Sequence, residues 1–314
     1  MNIERKNMKV LVTGGAGFIG SHIVEKFVEK GHEVVVLDNL SSGTLDNIKG
    51  LSNVKFYKQD IRDKNLIDIF KMEKPDIVYN EGAQISVGCS IKDPYNDADI
   101  NIMGLVNVLE CCVKTNVKKF ITASSVAVYG VPKSSVSYET DELQALSFYG
   151  LTKMTSEKYV RLYHDLFNLQ YVILRYSNVF GPRQSCLGEA GVVAIFSDAM
   201  KNNKDIYIDG DGEQTRDFIY VKDVANANYL VGVENVKNET FNVSNNGKTS
   251  INELFSAMKK AFSYKKDAIH REKRLGDIRD SRLSNDLLKS KTSFETHYDI
   301  QSGLNEYAGS LGCI

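Results

Sequence analysis

Apolar positions in the first half of the chain alternate between short β-branched runs and longer stretches with helical spacing. The runs Lys9–Thr13, Glu33–Leu37, Lys55–Tyr57, Ile77–Tyr79, Lys119–Thr122 and Tyr171–Arg175 predict strands. Between them, Ile19–Lys30, Lys64–Met72, Asp97–Lys114 and Tyr149–Phe167 carry apolar residues three and four apart, which predicts amphipathic helices. Strand–helix alternation at this spacing implies a doubly wound parallel sheet of the Rossmann type, with right-handed crossovers and helices on both faces. Past Asn178 the elements shorten. A glycine-rich turn falls at Asp209–Gly212, and helical patterns return at Asp223–Val233 and Asn252–Phe262. The reading is an α/β domain over residues 1–178, to which about 215–244 returns, and a smaller α/β lobe over 179–314.

Charge narrows the possible partners. Lys+Arg 39 against Asp+Glu 40 argues against binding nucleic acid or an anionic membrane through the whole surface. A small anionic ligand needs only a few local cations and stays open. No run of about 18 apolar residues occurs, and the polar start does not read as a secretory signal. Cys89, Cys111, Cys112, Cys186 and Cys313 form neither a CxxC pair nor a metal-ligand spacing with the histidines, so no metal site is expected. Scattered thiols in odd number fit a reducing, cytoplasmic setting.

The first candidate chemistry lies between the first strand and the first helix, at Val10-Leu11-Val12-Thr13-Gly14-Gly15-Ala16-Gly17-Phe18-Ile19-Gly20. Gly14 permits a tight turn, Gly17 lets a pyrophosphate approach the backbone, and Gly20 allows close helix–strand packing. The helix N-terminus then offers N–H groups and a positive dipole end. Asp38 closes the second strand, where an acid can hold the adenosine ribose hydroxyls. Asn39 and Leu40 follow it rather than Arg or Lys, which favours NAD over NADP.

Tyr149 and Lys153 are four residues apart and share a helix face. An ammonium and a cationic nicotinamide would both stabilise a Tyr149 phenolate and lower its pKa from near 10. Ser125, in Ala123-Ser124-Ser125-Val126, follows a predicted strand at the carboxyl edge where ligands bind in such sheets. It could hydrogen-bond the same substrate hydroxyl as Tyr149, or simply cap a turn.

Together these residues give the chain a resemblance to the extended short-chain dehydrogenase/reductases, and within them to the UDP-glucose 4-epimerases and their N-acetylhexosamine relatives. The similarity continues through Asp60-Ile61, Asn101-Ile102-Met103-Gly104, Leu174–Gln184, Gly210–Phe218 and Arg274-Leu275-Gly276-Asp277. It implies a UDP-sugar 4-epimerase using NAD, with Ser125, Tyr149 and Lys153 catalytic and a homodimer formed through the Tyr149 helix. Implied cofactor positions are Gly14, Gly17, Phe18, Ile19, Gly20, Asp38, Asn39, Ser42, Gly43, Asp60, Ile61, Gly82, Ala83, Gln84, Asn101, Tyr149, Lys153 and Tyr176. Implied substrate positions are Ser125, Tyr149, Asn178, Val192, Tyr207, Ile208, Arg216, Arg274, Asp277 and Ser281. Of these, Tyr207 and Ile208 belong to the strand Ile206-Tyr207-Ile208 that would line the pyrimidine, and Arg216 and Arg274 would meet the diphosphate.

In the mechanism so implied, Tyr149 takes the sugar 4-hydroxyl proton while C4 gives its hydride to NAD, and the 4-keto sugar turns and takes the hydride back. Val126 and Ala127 stand where the related dehydratases carry an acid pair, which disfavours loss of water. Small Ser281, where plain-hexose enzymes carry a bulky Tyr, implies that N-acetylhexosamine nucleotides are also substrates. Other readings are a uronic acid or pentose 4-epimerase, a net oxidoreductase, or a non-catalytic dinucleotide-binding regulator. Three departures stand out: Asn80-Glu81-Gly82-Ala83 where the family usually runs His-Leu-Ala-Ala, Phe148 in place of a Pro, and Cys186. A Glu at a usually apolar position beside a cofactor is costly to bury ionised unless it is paired.

Overall fold

The computed structural model describes residues 7–185, 191–273 and 278–313. Six strands appear in the first half: β1 (Lys9–Thr13), β2 (Glu33–Asp38), β3 (Val54–Lys58), β4 (Ile77–Asn80), β5 (Lys119–Ser125) and β6 (Tyr171–Tyr176). Short strands follow as β7 (Asn178–Phe180), β8 (Tyr207–Asp209), β9 (Thr215–Arg216) and β10 (Phe218–Tyr220). The last are β11 (Glu239–Val243), β12 (Thr249–Ser250), β13 (Ile269–Arg271) and β14 (Asp280–Ser281).

One parallel sheet has the order β11-β6-β5-β4-β1-β2-β3, so the winding reverses between β1 and β4. Ligands bind at such a switch point, outside the strand carboxyl ends. Period-two alternation with both faces apolar explains the continuous Val/Leu/Ile runs. Val10, Val12, Val34 and Val36 pack on one face against α1 (Phe18–Glu29), while Leu11, Val35, Leu37 and Val78 pack on the other against α2 (Leu66–Glu73).

The helix expected over Asp97–Lys114 is broken. It follows the short α3 (Val87–Lys92) and divides into α4 (Pro94–Ala98), a wide π-type turn Asp99–Gly104, and α5 (Leu105–Lys114). The turn seats Gly104 against Ile61, whose side chain a Cβ at Gly104 would approach to 2.6 Å. It also places Asn101 to bond the backbone of Gln84, and inserted turns of this kind recur at functional sites. Helix α6 (Phe148–Phe167) begins where Ser147 Oγ accepts from Gly150 N at 3.1 Å.

The smaller lobe has its own core, in which α7 (Val192–Lys201) contributes Val193 and Phe196. Helix α8 (Val221–Val233) instead packs with α1 on the main sheet, and no strand is predicted at Glu239–Val243, which nevertheless pairs with β6 as β11. Helices α9 (Ile251–Ala261), α10 (Asp286–Lys291) and α11 (Ile300–Ser310) complete the order. Among the described residues no helix is long and apolar enough to cross a membrane.

Candidate functional site

A cleft of about 450 Å³ opens at the switch point of the large sheet. One end is the glycine loop. Gly14 takes a positive φ of 64°, and a Cβ there would stand 2.7 Å from Gly82 N, so the loop packs directly on the chain leaving β4. A Cβ on Gly20 would stand 2.2 Å from Gly14 O. At Gly17 the added carbon would meet only Gly14 O, at 3.1 Å, and otherwise enter open space. That is the cradle a pyrophosphate needs above a helix N-terminus.

Asp38 closes β2 as expected and is held from two sides. Its Oδ2 accepts from Ala16 N at 3.0 Å and its Oδ1 from Leu40 N at 2.8 Å. A carboxylate has room for further acceptor contacts, so it remains able to take ribose hydroxyls. Phe18, Ile19, Asn39, Ser42, Asp60, Ile61, Gly82, Ala83 and Gln84 also line the cleft. Asp60 is bound by Arg62, which holds its carboxyl well below the usual carboxylate range, and by Asn39 Nδ2 at 2.8 Å.

Two of the expected cofactor residues lie behind the wall instead. Asn101 is buried: its Nδ2 donates to Gln84 O at 3.0 Å and its Oδ1 accepts from Gln84 N at 2.9 Å. Gly43 packs on the glycine loop, where a Cβ would stand 2.7 Å from the Ala16 carbonyl carbon. Both shape the cleft by holding its lining in place.

The other end gathers Ala123, Ser124, Tyr149, Lys153 and Tyr176. Lys153 is buried and donates to Ala123 O at 3.0 Å. Ser125 Oγ accepts from Ala127 N at 3.2 Å, which caps a turn, and the serine stands beside Tyr149 and favours its phenolate. The expected lowering of the Tyr149 pKa needs a cationic nicotinamide, and the protein's own groups push the other way. Burial pushes the phenol up to about 12, the charges of Asp97 and Glu81 push the same way, and Ser125 only partly offsets them. Burial likewise drives the Lys153 amine down, opposed by Glu81 and Asp97.

Four residues not foreseen support this end. Asp97, fully buried, accepts from Thr152 Oγ1 at 2.9 Å and Gln84 Nε2 at 2.6 Å. Glu157 takes Arg175 through both carboxylate oxygens, at 2.8 and 2.7 Å, and accepts from Ser124 Oγ at 2.7 Å. Their residue types carry no signal in sequence, because the partners lie on separate elements that only the sheet brings together. Asn80 likewise finds a role: its Oδ1 accepts from Thr13 Oγ1 at 3.1 Å, tying β4 to β1 beneath the glycine loop.

Apart from Ser125 and Tyr149, the described substrate positions lie outside this cleft, on the smaller lobe and its junction. Strand β14 sets Ser281 beside Arg216 of β9 in register. Asn178 donates to Asp217 O at 3.1 Å, next to Arg216, whose guanidinium donates to Ile278 O at 2.7 Å. Val192 begins α7. Tyr207 is 49% exposed, whereas Ile208 is 1% exposed and packed in the lobe core, so of the two only Tyr207 offers its side chain outward. Alternation along β8 turns one outward and the other inward. Arg274, Asp277 and Cys186 lie outside the described residues.

Residues 10–244 match the model of the NAD dependent epimerase/dehydratase family. The UDP-glucose 4-epimerase of Mycolicibacterium smegmatis is 37% identical over 95% of this chain and 96% of its own. A UDP-glucose 4-epimerase of Thermotoga maritima, solved with UDP-glucose, superposes with a TM-score of 0.93 at 40% identity, covering 97% of this chain and 99% of its own. A UDP-N-acetylglucosamine 4-epimerase of Methanobrevibacter ruminantium, in complex with UDP-N-acetylmuramic acid, gives 0.93 at 35% identity, with 98% of both chains covered.

Proposed function

The chain belongs to the NAD dependent epimerase/dehydratase family, and on that premise we propose that it inverts UDP-hexoses at C4. NAD is its cofactor, and the residues present fit it: an open cradle at Gly17, an acid at Asp38, and a closed end at Tyr149 and Lys153. When bound, NAD supplies the hydride acceptor and donor and a positive charge beside the phenol.

The observation that carries the reading is the meeting of Ser125, Tyr149 and Lys153 at one end of a dinucleotide cleft, with Val126 and Ala127 following the serine. Tyr149 is the group that takes and returns the sugar 4-hydroxyl proton. Ser125, which stands beside it, orients that hydroxyl. Lys153, fixed by Ala123 O, presents its ammonium to the nicotinamide ribose. Groups held in place before the reaction spend no free energy on reorganising during it. Two aliphatic residues after Ser125 cannot transfer protons, so water is retained and the keto sugar returns to a sugar.

The UDP moiety is assigned to the smaller lobe. Arg216 and Asn178 stand near one another through Asp217, and Arg216 has the planar fork that matches a diphosphate. Ser281, small and buried beside Arg216, supports acceptance of N-acetylhexosamine nucleotides as well as plain hexoses. The division of labour follows: residues 1–178 and about 215–244 hold NAD, and the remainder of 179–314 holds the UDP-sugar.

A panel of UDP-Glc, UDP-Gal, UDP-GlcNAc, UDP-GalNAc and UDP-uronic acids, with products resolved by NMR, tests this. The expected result is C4 inversion of both plain and N-acetylated pairs with no net reduced nicotinamide. Turnover of UDP-Gal with failure on both N-acetyl sugars would reject the Ser281 argument. Stoichiometric NADH would replace the epimerase by an oxidoreductase.

A further inference from the structure

Glu81 stands immediately after β4, in the cleft wall between the glycine loop and the Tyr149 end. Its Oε1 accepts a hydrogen bond from Tyr176 Oη at 3.0 Å. The direction of that bond is set from behind. Asn228, fully buried, donates through Nδ2 to Tyr176 Oη at 2.8 Å and to Val224 O at 2.9 Å. The phenol oxygen is therefore already an acceptor, and its single proton goes forward. Asn228 Oδ1, 3.1 Å away, competes for it less well than a carboxylate. A chain of donors thus ends on Glu81 and holds its carboxylate in the cleft wall.

The groups around it define the local charge. Lys153 and Tyr149 face this region from α6, Tyr176 from β6, Tyr79 from β4 and Asp97 from α4. One ammonium is set against two carboxylates when Glu81 is ionised, and against one when it is protonated. A nicotinamide ring is cationic when oxidised and neutral when reduced, so its two forms respond differently to that change.

We propose that Glu81 sets the redox preference of the bound dinucleotide, its carboxylate favouring the cationic oxidised ring over the neutral reduced one. The proposal rests on the reading that the nicotinamide lies at the Tyr149 end of the cleft. An enzyme that ends each turnover with oxidised cofactor is kept in its starting state by such a bias. Burial holds the Glu81 carboxyl up to about 7, so the preference is present above neutral pH and fades below it.

The test is a reductive titration of purified holoenzyme, followed by nicotinamide fluorescence, for wild type, Glu81→Gln and Glu81→Leu. At about pH 8.5 both substitutions are expected to raise the bound NADH/NAD ratio at fixed reductant about tenfold, the scale of one partly screened charge pair a few ångströms apart. At about pH 5, where protonation of Glu81 removes its charge, the three proteins converge. A ratio unchanged at both pH values overturns the proposal. So does a change in Leu but not in Gln, which would mark a steric effect. If the Leu variant fails to fold, the isosteric Gln variant carries the test. Wild-type protein that retains no dinucleotide even after incubation with NAD would overturn the underlying reading of the cleft, and is recognised by the lack of any nicotinamide signal.

Discussion

The Lys153 ammonium lies 6.0 Å from the centre of the Tyr149 ring, one helical turn away, and is anchored to the β5 backbone at Ala123 O. Phenol and amine are both buried, and burial displaces each toward its neutral form. Burial thus opposes charge on both groups, while the carboxylates of Glu81 and Asp97 support the Lys153 ammonium. Tyr149→Phe keeps the ring and removes the proton carrier. Turnover of any UDP-sugar substrate should fall by roughly a hundredfold to ten-thousandfold, with NAD still bound. Steady-state rates beside cofactor content of the purified variant check this, and near-normal turnover would exclude Tyr149 as the base.

Asp38 discriminates between cofactors by charge. Asp38→Asn loses the negative charge and also one acceptor for the Ala16 and Leu40 N–H groups, which loosens the loop for either dinucleotide. The ratio of NADP to NAD affinity cancels that common loss. It should rise by about tenfold, equivalent to about 1.4 kcal/mol. Calorimetric titration with both cofactors gives the ratio directly, and an unchanged value would remove Asp38 from the selectivity argument.

The Glu157–Arg175 pair is buried, doubly hydrogen-bonded, and joins α6 to β6 beneath Ser124. Removing one partner leaves an uncompensated charge. Glu157→Leu is expected to cost about 3–5 kcal/mol of stability, visible in urea denaturation. A loss within 1 kcal/mol, at about the level of a surface pair, would show the network to be dispensable.

Leu151, Tyr159, Leu162 and Leu166 expose apolar surface along α6, and we propose that a homodimer forms through that helix. Leu162→Glu combined with Leu166→Glu should convert the protein to a monomer in sedimentation velocity. A dimer that survives both would place the interface elsewhere.

Lys119 on β5 donates to Val231 O at 2.9 Å and Glu234 O at 3.2 Å, at the end of α8. Burial lowers its pKa to about 8, below the 10.5 of an ordinary lysine. Between these values the unfolded chain binds more protons than the folded one, so this group's contribution to stability rises with pH from about 8 to about 10.5. Relative to Lys119→Met, the wild type should gain stability on going from about pH 7.5 to about pH 9.5 in urea melts. A difference that stays flat or falls would refute the assignment.

The first six strands and the glycine loop were legible because both are written in local patterns: apolar runs of period two, helices of period 3.6, and glycines where a Cβ cannot fit; the strand order and β11 were not, because pairing joins distant segments. Asp38, Tyr149 and Lys153 were legible for the same reason, each placed by the end of one strand or the face of one helix. The face that Ile208 takes was not legible because its residue type permits both faces of a strand, and only the lobe core decides which is buried. The Asn101–Gln84 bonds were not legible because a π-type turn aims that side chain.

By itself the sequence determined a doubly wound α/β fold, a dinucleotide loop and the residue types of a Tyr/Lys/Ser proton-transfer site. What Glu81 meets was decided by tertiary structure alone. Tyr176 lies 95 residues away and Asn228 a further 52, and sequence spacing carries no record of a hydrogen bond between separate strands and helices. Local periodicity specifies elements. The charge and protonation of a buried group depend on whichever neighbours the completed sheet brings within a few ångströms.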